Sequence, residues 1–408
     1  MSVNGTHRQQ TLLILGGSRY IIPVIDAAHA LGCRVVTSDY LPDNIAHAYA
    51  DEYVNTSIVD KDAVLATAQA VHADGIMSFA ADPGVVSAAW TAERLGLPFQ
   101  ASYEATRILQ TKSLFRQYLH DHGFICPRSF AFASVEQATA VADELPYPVI
   151  AKPVDAAGSK GVTRVDAPDA LAPAVAHALT FSRSGGCIVE QFLEKQYASS
   201  DSDSFAVNGE LRCASFTSQL FDVQATNPYA PAAFAMPATM PASAQAELRA
   251  EIQRLFSLLG VQSGIFNIET RVATDGKPYI MEVSPRGGGN RLAEMLRYAS
   301  DVDLIRASVQ AALGMEVQGV TDPRYDGYWY QSILHSDTDG TFRGVEYADG
   351  FRDAHVRDES LWIEPGAPVH AFDAANYAFG TVMMRFETQA ELDEFARDVT
   401  RFMRVVVA

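Results

Sequence analysis

The stretch GIFNIETRVATDGKPYIMEVSPRGGGNR, residues 264 to 291, gathers two glutamates, an arginine and three glycines around one turn. Asp275-Gly276 between apolar runs is a two-residue hairpin signal, and such a turn sets Glu269 opposite Glu282 and Asn267 opposite Ser284. Directly opposed residues hold their Cβ atoms about 4.5–5.5 Å apart on one face, where two like charges destabilise the sheet unless a cation lies between them. Magnesium is such a cation, because it takes carboxylate oxygens together with nucleotide phosphates. Arg286 continues the same face by period two, with a planar fork suited to phosphate or carboxylate. Gly287 to Gly289 then offer backbone N–H groups to an anion. The competing reading is a pair of solvent-facing glutamates, one of them paired with Arg271 or Arg286. A one-residue slip of register would put the glutamates on opposite faces.

A second stretch, YPVIAKPVDAAGSKGV at 147 to 162, sets Lys152 directly after the apolar run Val149-Ile150-Ala151. A lysine at the end of a buried strand either snorkels to the surface or meets an anion. The loop Asp155 to Gly161 is either a flexible hairpin tip or a mobile cover over phosphates. Taken together, the lysine and the small-residue loop point to phosphates. His120-Asp121-His122 reads as a solvated helix end, because neighbouring residues on a helix face different directions.

These groups need elements to hold them. Thr11 to Leu15, Arg34 to Ser38 and Gly75 to Phe79 read as strands, alternating with helices at Ile22 to Leu31, Ala63 to Val71 and Val85 to Leu95. That alternation implies a parallel, doubly wound sheet, which binds ligands beyond the carboxyl ends of its strands. Those ends carry Gly16-Gly17-Ser18, Asp39 and Asp82-Pro83-Gly84. Residues 124 to 192 read strand, helix, strand, helix, strand after a helix at Lys112 to His120. Asn208-Gly209 marks a hairpin. Residues 224 to 243, with four prolines and no periodicity, read as a binding loop or lid. The last region has strands at Tyr328 to Leu334, Ser360 to Trp362 and Ala378 to Met384, and an amphipathic terminal helix at Leu392 to Val405.

In this order the motifs resemble the ATP-grasp superfamily over nearly the whole chain: Lys112, then AKPVDAAGSKGV, then VEQFLE at 189 to 194, then FNIE…IMEVSPRGGGNR. The resemblance implies an α/β and α+β fold of three parts. They are a preATP-grasp parallel-sheet domain (1–105), an ATP-grasp domain (106–320) with a mobile lid at about 124–192, and a small C-terminal α+β subdomain (321–408). It implies that Lys112 and Lys152 hold ATP phosphates and that Ser159, Lys160 and Gly161 close over the γ-phosphate. Glu190 would take the adenine amine, with Gln191, Phe192 and Leu193 framing the ring. Glu269 and Glu282 would bind magnesium, or manganese in its place. Arg286 would steady an acyl phosphate, and Gly288, Gly289, Asn290 and Arg291 would lie along the carboxylate substrate. Two positions depart from the pattern. Ser284 stands where a metal-binding asparagine is common, with Asn267 opposite to compensate, and Asp201 or Asp203 would have to replace a missing ribose-binding glutamate.

The activity implied is an ATP-dependent carboxylate–amine ligase acting on small molecules through an acyl phosphate. The alternatives are phosphorylation of bicarbonate or carbamate, and a nucleotide-binding protein without turnover. With 31 basic and 49 acidic residues the formal charge is −18, which argues against nucleic acid or an anionic membrane as partner. Four separated cysteines, with no C-x-x-C pair, suggest neither a zinc site nor a disulfide framework. No apolar run reaches about 18 residues, and a cytoplasmic location is expected. A homodimer is the assembly that similar chains commonly form.

Overall fold

The structure is a computed structural model that describes residues 8–156 and 158–408; Ala157 of the glycine loop and residues 1–7 of the N-terminal reading lie outside the described residues. The N-terminal unit runs β1 (Thr11–Leu15), α1 (Ile22–Ala30), β2 (Arg34–Asp39), β3 (Glu52–Asn55), α2 (Lys61–Ala70), β4 (Gly75–Ser78) and α3 (Asp82–Leu95). Its sheet is parallel in the order β3-β2-β1-β4, as the alternating pattern requires. β1 is buried at all five positions, because helices cover both faces of such a sheet. β3 escapes a reading based on apolar runs: it is an edge strand of four residues with none buried.

α4 (Tyr103–Gln110) and α5 (Lys112–Asp121) lead into a small layered unit. That unit comprises β5 (Ser129–Phe132), α6 (Val135–Thr139), β6 (Val149–Pro153), β7 (Thr163–Val165), α7 (Leu171–Phe181) and β8 (Cys187–Gln191). The strand order is β5-β8-β6-β7, and a separate core of Val149, Ala151, Val165, Leu171, Val175 and Val189 holds it together.

The antiparallel sheet β10-β9-β13-β14 is built from β9 (Ser200–Val207), β10 (Glu210–Ala214), β13 (Gly264–Val272) and β14 (Pro278–Ser284). Asn208 and Gly209 take φ of 50° and 81°, the left-handed pair that a two-residue I′ hairpin needs. Between β10 and β13 come β11 (Ser218–Phe221), β12 (Pro231–Met236) and α8 (Ala242–Leu259). Leu248, Ile252, Leu255 and Phe256 of α8 join one core with Phe266, Ile268 and Val283 of the hairpin. One face of the hairpin is thereby sealed, and the alternate residues are left for the other.

After α9 (Leu292–Ser300) and α10 (Leu304–Ala312) come β15 (Tyr328–Leu334), β16 (Gly340–Tyr347), α11 (Phe351–His355), β17 (Val356–Leu361), β18 (Pro368–Val369), β19 (Gly380–Phe386), α12 (Gln389–Arg397) and β20 (Met403–Val407). One five-stranded sheet, β11-β12-β15-β19-β17, draws strands from both sides of residue 320. Two expectations are corrected here. Six residues of the proline-rich stretch form β12: its Pro231 sits at the first strand position, where a missing N–H costs nothing to the ladder. The terminal segment is α12 followed by β20, because Asp398 caps a short 3-10 turn and Met403–Val407 pairs with β16.

The β13–β14 turn also differs from the two-residue reading. Ala273 N–H donates to Lys277 O at 3.1 Å, closing a three-residue loop with Gly276 at φ 78°. Arg271 therefore faces Tyr279, and Thr270 faces Ile280. A bulge at Met281 then restores Glu269 opposite Glu282 and Asn267 opposite Ser284.

Candidate active site

β9, β13 and β14 lie side by side, and their registers bring six side chains into two rows. Asp201 faces Glu269, which faces Glu282; Asp203 faces Asn267, which faces Ser284. Strand alternation puts all six on the face away from α8. Asn267 Nδ2 donates to Asp201 Oδ1 at 2.8 Å and to Asp203 Oδ1 at 3.3 Å. Gly288 N–H donates to Asp203 Oδ1 at 2.7 Å. Asp203 Oδ2 is buried without a partner among the described residues.

Such crowding of carboxylates has an electrostatic signature. Burial, then the neighbouring Glu269, pushes Asp201 up to about 7. Burial pushes Asp203 up to about 6, opposed by the Gly288 N–H and by Arg286. Burial raises Glu269 as well, with Arg271 opposing and Glu282 adding to the shift. A row of hard oxygen donors that resists ionising alone fits a divalent cation of the magnesium type.

The metal-free protein should show that cost. The folded pKa of Asp201, about 7, lies above an unfolded value of about 3.9, so the destabilisation grows as pH rises between them and is complete above the higher one. Asp201→Asn is expected to stabilise the metal-free protein by about 2 kcal/mol at pH 8 and by little at pH 4.5. Thermal melts in chelator at the two pH values check this; an equal effect at both would remove the electrostatic cause.

Two lysines reach the same face. Lys112, at the first position of α5, places Nζ 3.1 Å from Glu282 Oε2 and donates to Ala156 O at 3.1 Å. Burial opposes its charge, but Glu282 outweighs that and raises its pKa. Lys152 of β6 pairs with Glu190 of β8, and Glu190 also accepts from Arg116 Nε at 2.6 Å. Burial disfavours the Glu190 carboxylate, yet Arg116 and Lys152 prevail and hold it at about 2.

At the other margin, Arg286 grips Asp82 through Nε at 2.9 Å and Nη2 at 2.7 Å, while Nη1 donates to Asn267 Oδ1 and Gly287 O, each at 3.0 Å. Asp82 opens α3, so the N-terminal sheet supplies one wall of the site. Gly287 O accepts from Ala80 N–H at 3.1 Å, and a Cβ on Gly287 would fall 2.3 Å from Phe79 Cζ. Gly287→Ala is therefore expected to cost about 1–3 kcal/mol in urea unfolding. Gly289→Ala, with nothing within 4 Å of its Cβ, should be near neutral and serves as the control.

The structure redistributes several sequence expectations. Ser284 gives its proton to Asp82 Oδ1 and accepts Gln110 Nε2, both at 3.0 Å, so its hydroxyl is not spare for a metal. Asn267 Oδ1 is taken by Arg286 and does not compensate. Asp201 and Asp203, expected at the ribose, lie instead in the carboxylate rows. Glu190, expected at the adenine amine, is 1% exposed and paired with Arg116 and Lys152. The amides of Gln191 and Phe192 bond to Arg128 O and Pro148 O at 2.8 and 2.9 Å, and the Arg164 guanidinium covers the Phe192 ring at 4.4 Å. Leu193 gives its carbonyl to Arg271 at 3.0 Å.

Ser159 docks on the segment that precedes β12. Its Oγ donates to Tyr229 O at 2.9 Å, and its carbonyl accepts Asn227 Nδ2 at 3.3 Å. Lys160 is exposed and Gly161 takes φ 70°, beside the Phe181 ring. Asn290 and Arg291 both take left-handed φ, 52° and 61°. Arg291 pairs with Glu294 at 2.9 Å and with Asp358 of β17 at 2.5 Å. Sequence reasoning missed Asp82, Gln110 and Arg116 as partners. For Asp201 and Asp203, the i, i+2 spacing in SSDSDSF was a usable strand-face signal.

Comparison with known proteins agrees with this architecture. Residues 122–301 match the family model described as D-ala D-ala ligase C-terminus, and residues 25–99 match the ATP-grasp N-terminal domain. The formate-dependent phosphoribosylglycinamide formyltransferase of Parasynechococcus marenigrum is 30% identical over 191 residues, 46% of this chain and 49% of that protein. The chain thus spans about half the length of that curated relative. Among solved structures, the L-amino acid ligase from Bacillus licheniformis has a TM-score of 0.81 at 20% identity, covering 99% of this chain and 100% of that one. Phosphoribosylglycinamide synthetase from Anaerococcus prevotii has a TM-score of 0.76 at 17% identity, covering 98% and 100%. With the two matched models in sequence order and the fold shared from end to end, this chain belongs to the ATP-grasp superfamily.

Proposed function

We propose that the chain is an ATP-dependent carboxylate–amine ligase that joins two small molecules through an acyl phosphate. The observation that carries this reading is the carboxylate face Asp201–Glu269–Glu282 with Lys112 and Lys152 at one margin and the Asp82–Arg286 pair at the other. Phosphoryl transfer asks for positioned charge rather than for a covalent nucleophile. Asp201, Glu269 and Glu282 would hold magnesium at that face, which would supply positive charge against the phosphates.

Lys112 and Lys152 would exchange their present carboxylate partners for phosphate oxygens. The substrate carboxylate would attack the γ-phosphorus as the bond to ADP breaks. The amine would then attack the acyl carbon and lose a proton as phosphate leaves. Arg286, with one N–H beyond its four present bonds, would meet the acyl phosphate at the edge of the glycine stretch. The Ser159–Lys160–Gly161 loop would keep water from that intermediate.

The test is product analysis with Mg-ATP, hydroxylamine and a panel of amino and hydroxy acids. ADP with a hydroxamate is expected and would identify the carboxylate. AMP with pyrophosphate would overturn the phosphoryl mechanism, and ADP released with bicarbonate alone would replace the amide-forming reading.

A further inference from the structure

The parallel sheet changes direction between β1 and β4: β2 and β3 lie on one side of β1, and β4 lies on the other. A crevice at such a reversal, beyond the carboxyl ends of the strands, is where sheets of this kind bind ligands. The β4 half of the crevice is filled. Ala80 N–H bonds Gly287 O, and Asp82 holds Arg286. The β1 half is Ser18, Arg19 and Tyr20, and it differs in its charges.

Arg19 is an arginine without an acid. Arg116, Arg286 and Arg291 each carry a carboxylate, whereas among the described residues no carboxylate pairs with Arg19. Its guanidinium lies over the Trp362 ring, 4.9 Å from the centroid. Burial pushes it below its ordinary value, opposed by the Tyr20 and Tyr49 hydroxyls. Beside it, Ser18 Oγ is buried and has no partner among the described residues. Arg19 opens a short 3-10 turn, Arg19–Ile21, that runs directly into α1. Tyr20 ties the group to the glycine stretch: its hydroxyl donates to Asn290 Oδ1 at 3.3 Å, and its ring meets Trp362 edge-on at 5.7 Å.

We propose that Ser18 and Arg19 form a subsite for an anionic group, carboxylate or phosphate, carried by the amine substrate. The assignment to the amine rests on the ligase reading. The carboxylate to be activated belongs beside Glu269, Glu282 and Arg286, so a cation on the far side of Asn290 serves the other reactant. A planar guanidinium with a hydroxyl next to it suits either oxyanion. In a chain of formal charge −18, a half-buried cation with no acid partner, beside an unpartnered hydroxyl, offers an anion a place to settle. The acceptor would then be an amino acid or an amino-substituted phosphate rather than a neutral amine.

The experiment has two arms on the full chain. Glycine, inorganic phosphate and aminomethylphosphonate are titrated at fixed ionic strength with Mg-ADP present, reading tryptophan fluorescence, and Trp362→Phe assigns the signal. A saturable change is expected in the wild type, weakened about tenfold or more in Arg19→Gln and less in Arg19→Lys. Response to glycine alone assigns a carboxylate, and response to the phosphorus compounds alone assigns a phosphate. No saturable change, or identical curves in Arg19→Gln, overturns the subsite.

In the second arm, turnover is compared for glycine and glycinamide as acceptors. Arg19→Gln should raise KM for glycine about tenfold while leaving KM for ATP and for glycinamide unchanged. Equal losses with both acceptors would mark Arg19 as merely structural. Failure of hydroxamate trapping with anion binding intact would sink the ligase reading and leave the subsite standing.

Discussion

Glu282→Gln is expected to lower ATP-dependent turnover about 10²–10³-fold and to raise the magnesium concentration needed for half-maximal rate about tenfold or more. The side chain ends one carboxylate row, opposite Glu269 and 3.1 Å from Lys112 Nζ. The amide keeps shape and loses charge, so a cation shared along the row loses one ionic ligand. Folding should change little, since relief of the repulsion from Glu269 offsets the lost ion pair with Lys112. Turnover against magnesium concentration, with a thermal melt alongside, separates the cases. An unchanged magnesium profile would remove the metal from this face, and a collapse in Tm would mean that the carboxylate is structural.

The largest stability effect should come from Arg116→Met. Arg116 and Glu190 are 3% and 1% exposed, and Arg116 Nη2 also donates to Met281 O at 2.8 Å. One side chain therefore ties β8 to the bulge that sets the register of the β13–β14 hairpin. Removing it leaves Glu190 buried with Lys152 alone, at a cost of about 3–5 kcal/mol in denaturant unfolding. Adding Glu190→Gln should recover part of that loss, because the uncompensated charge goes too. A double variant no better than the single would show that lost packing dominates. The pH dependence runs opposite to that of Asp201. Glu190 is held at about 2, below an unfolded value of about 4.3, so its contribution is full above that value and is lost as pH falls toward 2. The gap between wild type and variant should narrow over that range.

Much of this was legible in the sequence where pattern and chemistry coincide. The three long apolar strands of the first sheet and the pairing of Glu269 with Glu282 follow from period-two and period-3.6 reading. The pairing came out right through two departures that cancel. The loop holds one residue more than Asp275-Gly276 implies, and Met281 adds one to β14. Neither is visible locally, because a bulge depends on how β14 must twist over α8. The partners of the site were hidden for another reason. Asp82, Gln110 and Arg116 are distant in sequence from the residues they bind, and no periodicity records a contact between separate elements. Asp201 and Asp203 were noticed, but their place followed from which strand lies beside β13, a matter of topology. Ser284 illustrates the same limit, since its hydroxyl goes to Asp82 and Gln110 rather than into the row.

The Asp82–Arg286 pair spans 204 positions of chain. In a chain made from its N-terminus at about 5–20 residues per second, Asp82 emerges roughly 10–40 s before Arg286. During that interval the aspartate is not idle, because it opens α3 and its charge suits the positive end of that helix. Arg286 has no such refuge: Asp82, Asn267 and Gly287 are its partners, and the first of them lies in another unit. Completion of this face thus waits for residue 286, and a nascent chain holds Lys112 and Lys152 before it holds the arginine margin.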